Sequence, residues 1–224
     1  LHADVAVIEL DEAYAVHFVR QVSPQASLLL NVMRDQLDRF GEIDATARML
    51  EQVASKTTKH VVINREDPRL LAIGATLPPE RVSYYGLSEK LLSLFPSDDD
   101  LHGKSISTHR HKKPSATVML DHIDGKNAHF KFDGHTKTVS MRLDGVYNIY
   151  NAAGAAALVA AVLGKKLKPE KLFAALTEVT PAFGRGETLM INGHPCELVL
   201  VKNPSGFRLT LSSYDPAGYA TAIA

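Results

Sequence analysis

The sequence predicts an α/β fold: a mixed, mainly parallel sheet with flanking helices and a small antiparallel sheet, followed by the incomplete start of a second α/β domain. Three observations predict it. From Val5 to Tyr85, short apolar runs rich in β-branched residues alternate with helix-spaced segments, the pattern of parallel strands covered by helices on both faces. Two Asp-Gly pairs, Asp124-Gly125 and Asp133-Gly134, separate three extended runs and mark tight hairpins. The alanine-rich stretch from Tyr147 to Leu163 then reads as one long helix closed by Gly164.

In chain order, Val5 to Leu10 reads as a strand, and Glu12 to Arg20 as a helix that stops before Pro24. Ser27 to Leu30 is the next strand. Ile43 to Lys56 is a helix, because Ile43, Ala47, Leu50 and Val53 recur at helical spacing. His60 to Ile63, Pro68 to Ile73 and Arg81 to Tyr85 read as strand, short helix and strand, the last ending before Gly86. Leu87 to Pro114 is polar, with Asp98, Asp99 and Asp100 followed by His102, His109 and His111, and reads as a mobile excursion. Ala116 to Ile123, Asn127 to Phe132 and Thr136 to Leu143 are the antiparallel strands. Pro169 to Leu176 is a helix with proline in its first turn. Thr180-Pro181-Ala182-Phe183-Gly184 reads as a boundary between a first domain over 1–180 and a second that starts at 181–224. In the second, Glu197 to Val201 is a strand and Gly206 to Leu211 opens a helix.

Composition narrows the function classes. Lys plus Arg equals Asp plus Glu at 25 each, so no net field draws nucleic acid or an anionic membrane. The single cysteine, Cys196, excludes an intrachain disulfide and a cysteine-based zinc site, and suits a cytoplasmic location. No apolar run approaches the ~20 residues of a membrane-spanning helix, so no membrane insertion is expected. The start, Leu1-His2-Ala3-Asp4, is neither an initiator methionine nor a signal peptide.

Three early strands end in polar residues: Glu9, Asn31 and Asn64. In open parallel sheets, ligands bind beyond the carboxyl ends of the strands. A carboxylate at that edge suits Mg²⁺, which takes one or two protein carboxylates and completes its shell with water and phosphate oxygens. Asparagine is also an ordinary turn former, so spacing alone leaves both readings open.

Five segments resemble the Mur ligase family, the ATP-dependent enzymes that build the peptidoglycan stem peptide, and among them its MurT branch. They are Asn31 to Gly41, which contains Arg34-Asp35-Gln36-Leu37-Asp38-Arg39; Val62 to Pro68; Tyr147 to Ala152; Phe183 to Glu187; and Leu200 to Phe207. The resemblance implies a Mur ligase central-domain fold that uses ATP and Mg²⁺. It implies an acyl-phosphate route in which a substrate carboxylate is phosphorylated and ammonia displaces the phosphate. Phosphoryl transfer of this kind rests on positioning and charge neutralisation. Glu9 would be the magnesium carboxylate, and Asp35 would lie in the second-metal or substrate region. Asn148 and Asn151 lie three apart on one helix, Asn151 meeting the adenine, and Arg185 would reach the phosphates. The branch implies amidation of the D-glutamate α-carboxylate in a lipid-linked peptidoglycan precursor, with a GatD-type glutaminase subunit as heterodimer partner.

The sequence departs from that pattern in three places. Gln36 stands where most Mur ligases have a metal-binding histidine, and Arg48 falls near the position of their carbamylated lysine. The MurT branch usually carries a four-cysteine zinc ribbon where this chain has Leu87 to Pro114, so no structural zinc is expected. No glycine-lysine phosphate loop occurs in the sequence. The chain is therefore expected to be an interior piece of a longer protein, inactive alone and weak in ATP binding. Two alternatives stay open: an amino-acid-adding ligase of the Mur or folylpolyglutamate synthase type, and a non-catalytic, ligase-derived subunit that holds a glutaminase.

Overall fold

A computed structural model describes residues 3–33, 43–96, 113–143, 145–180 and 185–199. Four parallel strands open the sheet: β1 (Ala26–Leu29), β2 (His60–Asn64), β3 (Val82–Leu87) and β4 (Val118–Asp124). β5 (Asn127–Phe132) and β6 (His135–Ser140) continue it antiparallel, so the spatial order is the chain order, β1 to β6. The three antiparallel strands expected after Pro114 are thus present, and β4 joins them to the parallel part.

Helices α1 (Glu12–Val19), α2 (Ile43–Lys56), α3 (Pro68–Ala75), α4 (Val146–Leu163) and α5 (Pro169–Leu176) complete the described body. β2 explains why the sheet needs cover on both sides. Its Val61, Val62 and Ile63 are all fully buried, and successive residues point to opposite faces. Val61 and Ile63 pack with Ile43, Ala54, Leu70 and Ile73 of α2 and α3. Val62 packs in the larger core with Tyr85, Phe130 and the α4 residues Ala153, Ala156 and Ala157. Small residues let α4 lie close to the sheet, and Gly154 marks the tightest point. A Cβ there would stand 3.0 Å from Tyr85 Cζ and 3.3 Å from Leu28 Cδ1. Contrary to the expectation that no apolar run comes near membrane-spanning length, α4 with the turn that follows it is long and apolar enough by length and composition, yet its alanine face is packed on the sheet.

Local chemistry sets the element ends. Asp11 caps α1 by accepting from Tyr14 N at 2.8 Å, and Asp67 caps α3 ahead of Pro68. Gly125 opens a two-residue turn with φ 55°, while Asp133 and Gly134 both have positive φ, as a type I′ hairpin requires.

Three expectations are corrected. Val5 to Leu10 forms no strand. Among the described residues it pairs with no strand and β1 bonds only to β2, and Val5, Val7 and Ile8 are exposed. Apolar content favours a strand, but a strand also needs a neighbour for its backbone groups. The start of the polar excursion is ordered: Glu89–Leu94 is a 3₁₀ turn, and it buries Leu91 and Phe95 in the core. A strand absent from the sequence reading, β7 (Arg185–Ile191), pairs antiparallel with β8 (His194–Val199) around Asn192-Gly193, both residues at positive φ. β8 covers the expected Glu197 strand in part. Leu200 onward, where the expected helix falls, lies outside the described residues, as do His102, His109 and His111.

Candidate functional site

The carboxyl ends of β1 and β2 meet the first turns of α4 at a cleft lined by Asn31, Met33, Asn64, Glu66, Tyr147 and Asn151, with Phe95 and Tyr150 closing one side. The space at this mouth, open solvent included, is about 460 Å³. The edge at which the polar strand ends were expected to gather is therefore concave.

A buried hydrogen-bond network builds its floor. Asn64 Nδ2 donates to Leu30 O at 2.9 Å, and Asn64 Oδ1 accepts from Glu66 N at 2.9 Å and from the Tyr150 hydroxyl. The Tyr85 hydroxyl donates to the same Leu30 carbonyl at 3.1 Å. Asp67 Oδ2 accepts Val32 N–H at 2.6 Å, while its Oδ1 accepts from Arg69 N at 2.9 Å and Leu70 N at 3.1 Å. One carboxylate thus caps α3 and fixes the backbone that follows β1. Burial pushes Asp67 above the ordinary carboxylate range, against the opposing pull of those three N–H groups and the Arg69 charge. Burial likewise raises Tyr85 and Tyr150, and it pushes the Tyr147 hydroxyl up to about 12.

The wall toward β3 is ionic. Glu66, 7% exposed, accepts Arg65 Nε at 2.9 Å and Leu87 N–H at 3.0 Å, and it also pairs with Lys113. Arg65 carries the connection onward by donating to Leu87 O at 3.0 Å and Pro114 O at 3.2 Å. The pair lies across Gly86, where a Cβ would fall 2.2 Å from Arg65 Nε and 2.7 Å from Glu66 Oε1. Phe95, also in the lining, packs its ring edge-on to Tyr147 at 5.1 Å and tilted to Tyr150 at 5.0 Å.

Of the residues the sequence singled out, Asn151 lines this cleft. Asn148 lies one turn earlier on α4, half-buried. Glu9 sits exposed on the segment before α1 and is not part of the cleft lining. Asp35 and Gln36 lie outside the described residues. The backbone of Arg185 is in β7, opposite Val199, and its side chain is not described. Among the described residues, no three His, Cys, Asp or Glu side chains converge as a metal site would require. Sequence reasoning missed Tyr147, Tyr150 and the Arg65-Glu66-Lys113 group. The Asn64-to-Asp67 motif was the available signal for the last, but the partners come from distant parts of the chain.

The profile of the Mur ligase middle domain matches residues 1–159. Among curated relatives, the lipid II isoglutaminyl synthase subunit MurT of Streptococcus pneumoniae is 28% identical over 98% of this chain and 53% of its own length. The corresponding subunit of Staphylococcus aureus is 26% identical over 93% and 51%. The chain therefore spans about half the length of these relatives. Among solved structures, a pseudomurein peptide ligase type C from Methanothermus fervidus superposes with a TM-score of 0.72 at 19% identity, covering 90% of this chain and 43% of the other. At 15% identity, MurF ligase from Thermotoga maritima, solved in complex with ADP, has a TM-score of 0.59 and covers 88% and 40%.

Proposed function

The chain belongs to the Mur ligase family, and from that membership we propose that it supplies the nucleotide-binding part of an ATP-dependent carbon–nitrogen ligase that amidates the D-glutamate α-carboxylate of lipid II. The observation that carries the reading is the cleft itself: Asn31, Asn64 and Asn151 meet beside an aromatic wall at the carboxyl edge of a parallel sheet. The likeness to the MurT subunits over 93–98% of the chain supports the amidating branch.

The chemistry of the cleft suits a nucleobase: its lining sets the Asn151 amide on α4 beside the aromatic residues Phe95, Tyr147 and Tyr150. Asn151 would read the base edge through one donor and one acceptor, with Asn148 one turn away. ATP, when bound, supplies the phosphoryl group that activates the carboxylate as an acyl phosphate, which ammonia converts to the amide with release of phosphate. Arg185 would neutralise phosphate charge from the strand after the domain junction, and Asp35 would serve the substrate side. Glu9 is the family-derived choice for Mg²⁺. Among the described residues no group of three His, Cys, Asp or Glu side chains gathers at Glu9. Ammonia would come from a GatD-type glutaminase subunit, and the substrate would be the lipid-linked precursor.

The test assays the full-length protein with its candidate glutaminase partner, ATP and a D-glutamyl stem-peptide substrate, with products read by mass spectrometry. ATP-dependent conversion of one carboxylate to an amide, about one mass unit lighter, is expected. Addition of a whole amino acid would retain the family and remove the amidating assignment. Absence of any ATP-dependent product would favour a non-catalytic subunit.

A further inference from the structure

The chain just past β1 is held at more points than the end of a strand needs. Leu30 O accepts two bonds, from Asn64 Nδ2 at 2.9 Å and from the Tyr85 hydroxyl at 3.1 Å. Val32 N–H donates to Asp67 Oδ2 at 2.6 Å, and the Val32 side chain is anchored in the core with Leu29 and Leu70. These partners belong to β2, β3 and the cap of α3, so three elements fix the backbone on both sides of a single residue, Asn31. Asn31 itself is exposed and lines the cleft, and its side-chain amide makes no hydrogen bond among the described residues.

An asparagine that serves as a turn former turns its side chain back onto its own backbone. Asn31 does not, because the work of holding the chain is done by Asn64, Tyr85 and Asp67. A backbone that is already fixed leaves a ligand less freedom to remove, so a bond from the side chain it carries is worth more. We propose that Asn31 is a ligand-contacting residue whose amide donates to a ribose or phosphate oxygen of the nucleotide in the cleft, and that Asp67 is the positioning residue that presents it. The inference rests on the nucleotide-binding reading and adds to it a contact at the strand edge and the clamp behind it.

A double-mutant cycle separates positioning from general support. ADP is titrated into wild type, Asn31→Ala, Asp67→Ser and the double variant, with binding read by calorimetry at high protein concentration and low temperature. Asn31→Ala leaves the thermal midpoint unchanged, because no bond is lost in the free chain, and lowers ADP affinity about three- to tenfold, the worth of one hydrogen bond. Asp67→Ser keeps the cap of α3 but releases Val32, and lowers affinity to a similar extent. In the Asn31→Ala background it lowers affinity less than about twofold, because the contact it positions is already gone. Unchanged ADP affinity in Asn31→Ala overturns the inference and leaves the nucleotide site standing. An Asp67→Ser loss of the same size with and without Asn31 also overturns it, since Asp67 would then act through the fold as a whole. Hydrogen exchange on wild type checks the clamp without any variant: the Val32 amide exchanges slowly, and exchange as fast as in an unstructured chain overturns the inference even if Asp67→Ser does not fold. If wild type shows no saturable ADP binding at all, the inference and the nucleotide reading both fall.

Discussion

Gly86→Ala tests the ionic wall of the cleft through a methyl group. In a strand, exchanging glycine for alanine ordinarily stabilises by about 0.5–1 kcal/mol, because the unfolded chain loses freedom. Here the added Cβ would lie 2.2 Å from Arg65 Nε and 2.8 Å from Arg65 Cδ, so the guanidinium must leave. Its departure breaks the bonds to Glu66 at 2.9 Å, Leu87 O at 3.0 Å and Pro114 O at 3.2 Å. Bonds to charged groups contribute about 1.5–3 kcal/mol when geometry is good, and less when one side reaches water. Arg65 and Glu66 are 16% and 7% exposed, so these bonds sit toward the buried limit. Glu66 keeps Lys113 through Oε2, which softens the loss, but its Oε1, the acceptor of the Leu87 N–H, would lie 2.7 Å from the new Cβ and must shift as well. The net cost is about 2–4 kcal/mol after the glycine effect, read by urea denaturation of the single variant. The double variant Arg65→Ala/Gly86→Ala isolates the cause, since in the Arg65→Ala background the second substitution costs less than about 1 kcal/mol. A Gly86→Ala protein as stable as wild type, or one whose cost persists without Arg65, would refute the reasoning.

The floor network makes three further predictions. Asp67→Ser keeps a helix cap but cannot reach Val32, so it costs about 1–3 kcal/mol for the abandoned N–H. Asp67→Ala should cost about 1 kcal/mol more for the lost cap, and equal denaturation midpoints for the two would show that the cap contributes nothing. Tyr150→Phe removes the hydroxyl donated to Asn64 and should destabilise by about 1 kcal/mol, a loss that an unchanged unfolding curve would disprove. The raised pKa of Asp67 fixes the sign of its pH dependence. The folded protein holds this proton to higher pH than the unfolded chain, so the group costs stability above its raised pKa. That cost fades as pH falls through the folded value toward 3.8. A carboxyl NMR titration of Asp67 should give a midpoint above 3.8, and one at or below it would mean that the three N–H donors outweigh burial.

Elements whose signals are local were legible in the sequence. Proline and glycine punctuation placed α5 at Pro169–Leu176 and ended α4 at Gly164, and both Asp-Gly turns lie where the sequence put them. Val5 to Leu10 carried the same apolar signal as β1, but a strand is made by its neighbour, and composition does not report one. The β7–β8 hairpin was overlooked although Asn192-Gly193 is as strong a turn signal as Asp-Gly. In the site, Asn31 and Asn64 stood out because strand ends are visible in one dimension, and Asn151 because the segment from Tyr147 to Ala152 resembles the family's. The joining of Glu66 to Lys113, or of Tyr150 to Asn64, is a pairing across 47 and 86 residues and has no local signature.

If the cleft between the β1–β2 edge and α4 holds the nucleotide, an amide NMR titration of the chain with ADP will locate it there. Saturable shifts are expected at Asn31, Met33, Asn64, Glu66, Tyr147 and Asn151, with β5 and β6 unmoved. Shifts confined to other elements, or none at millimolar ADP, would contradict it.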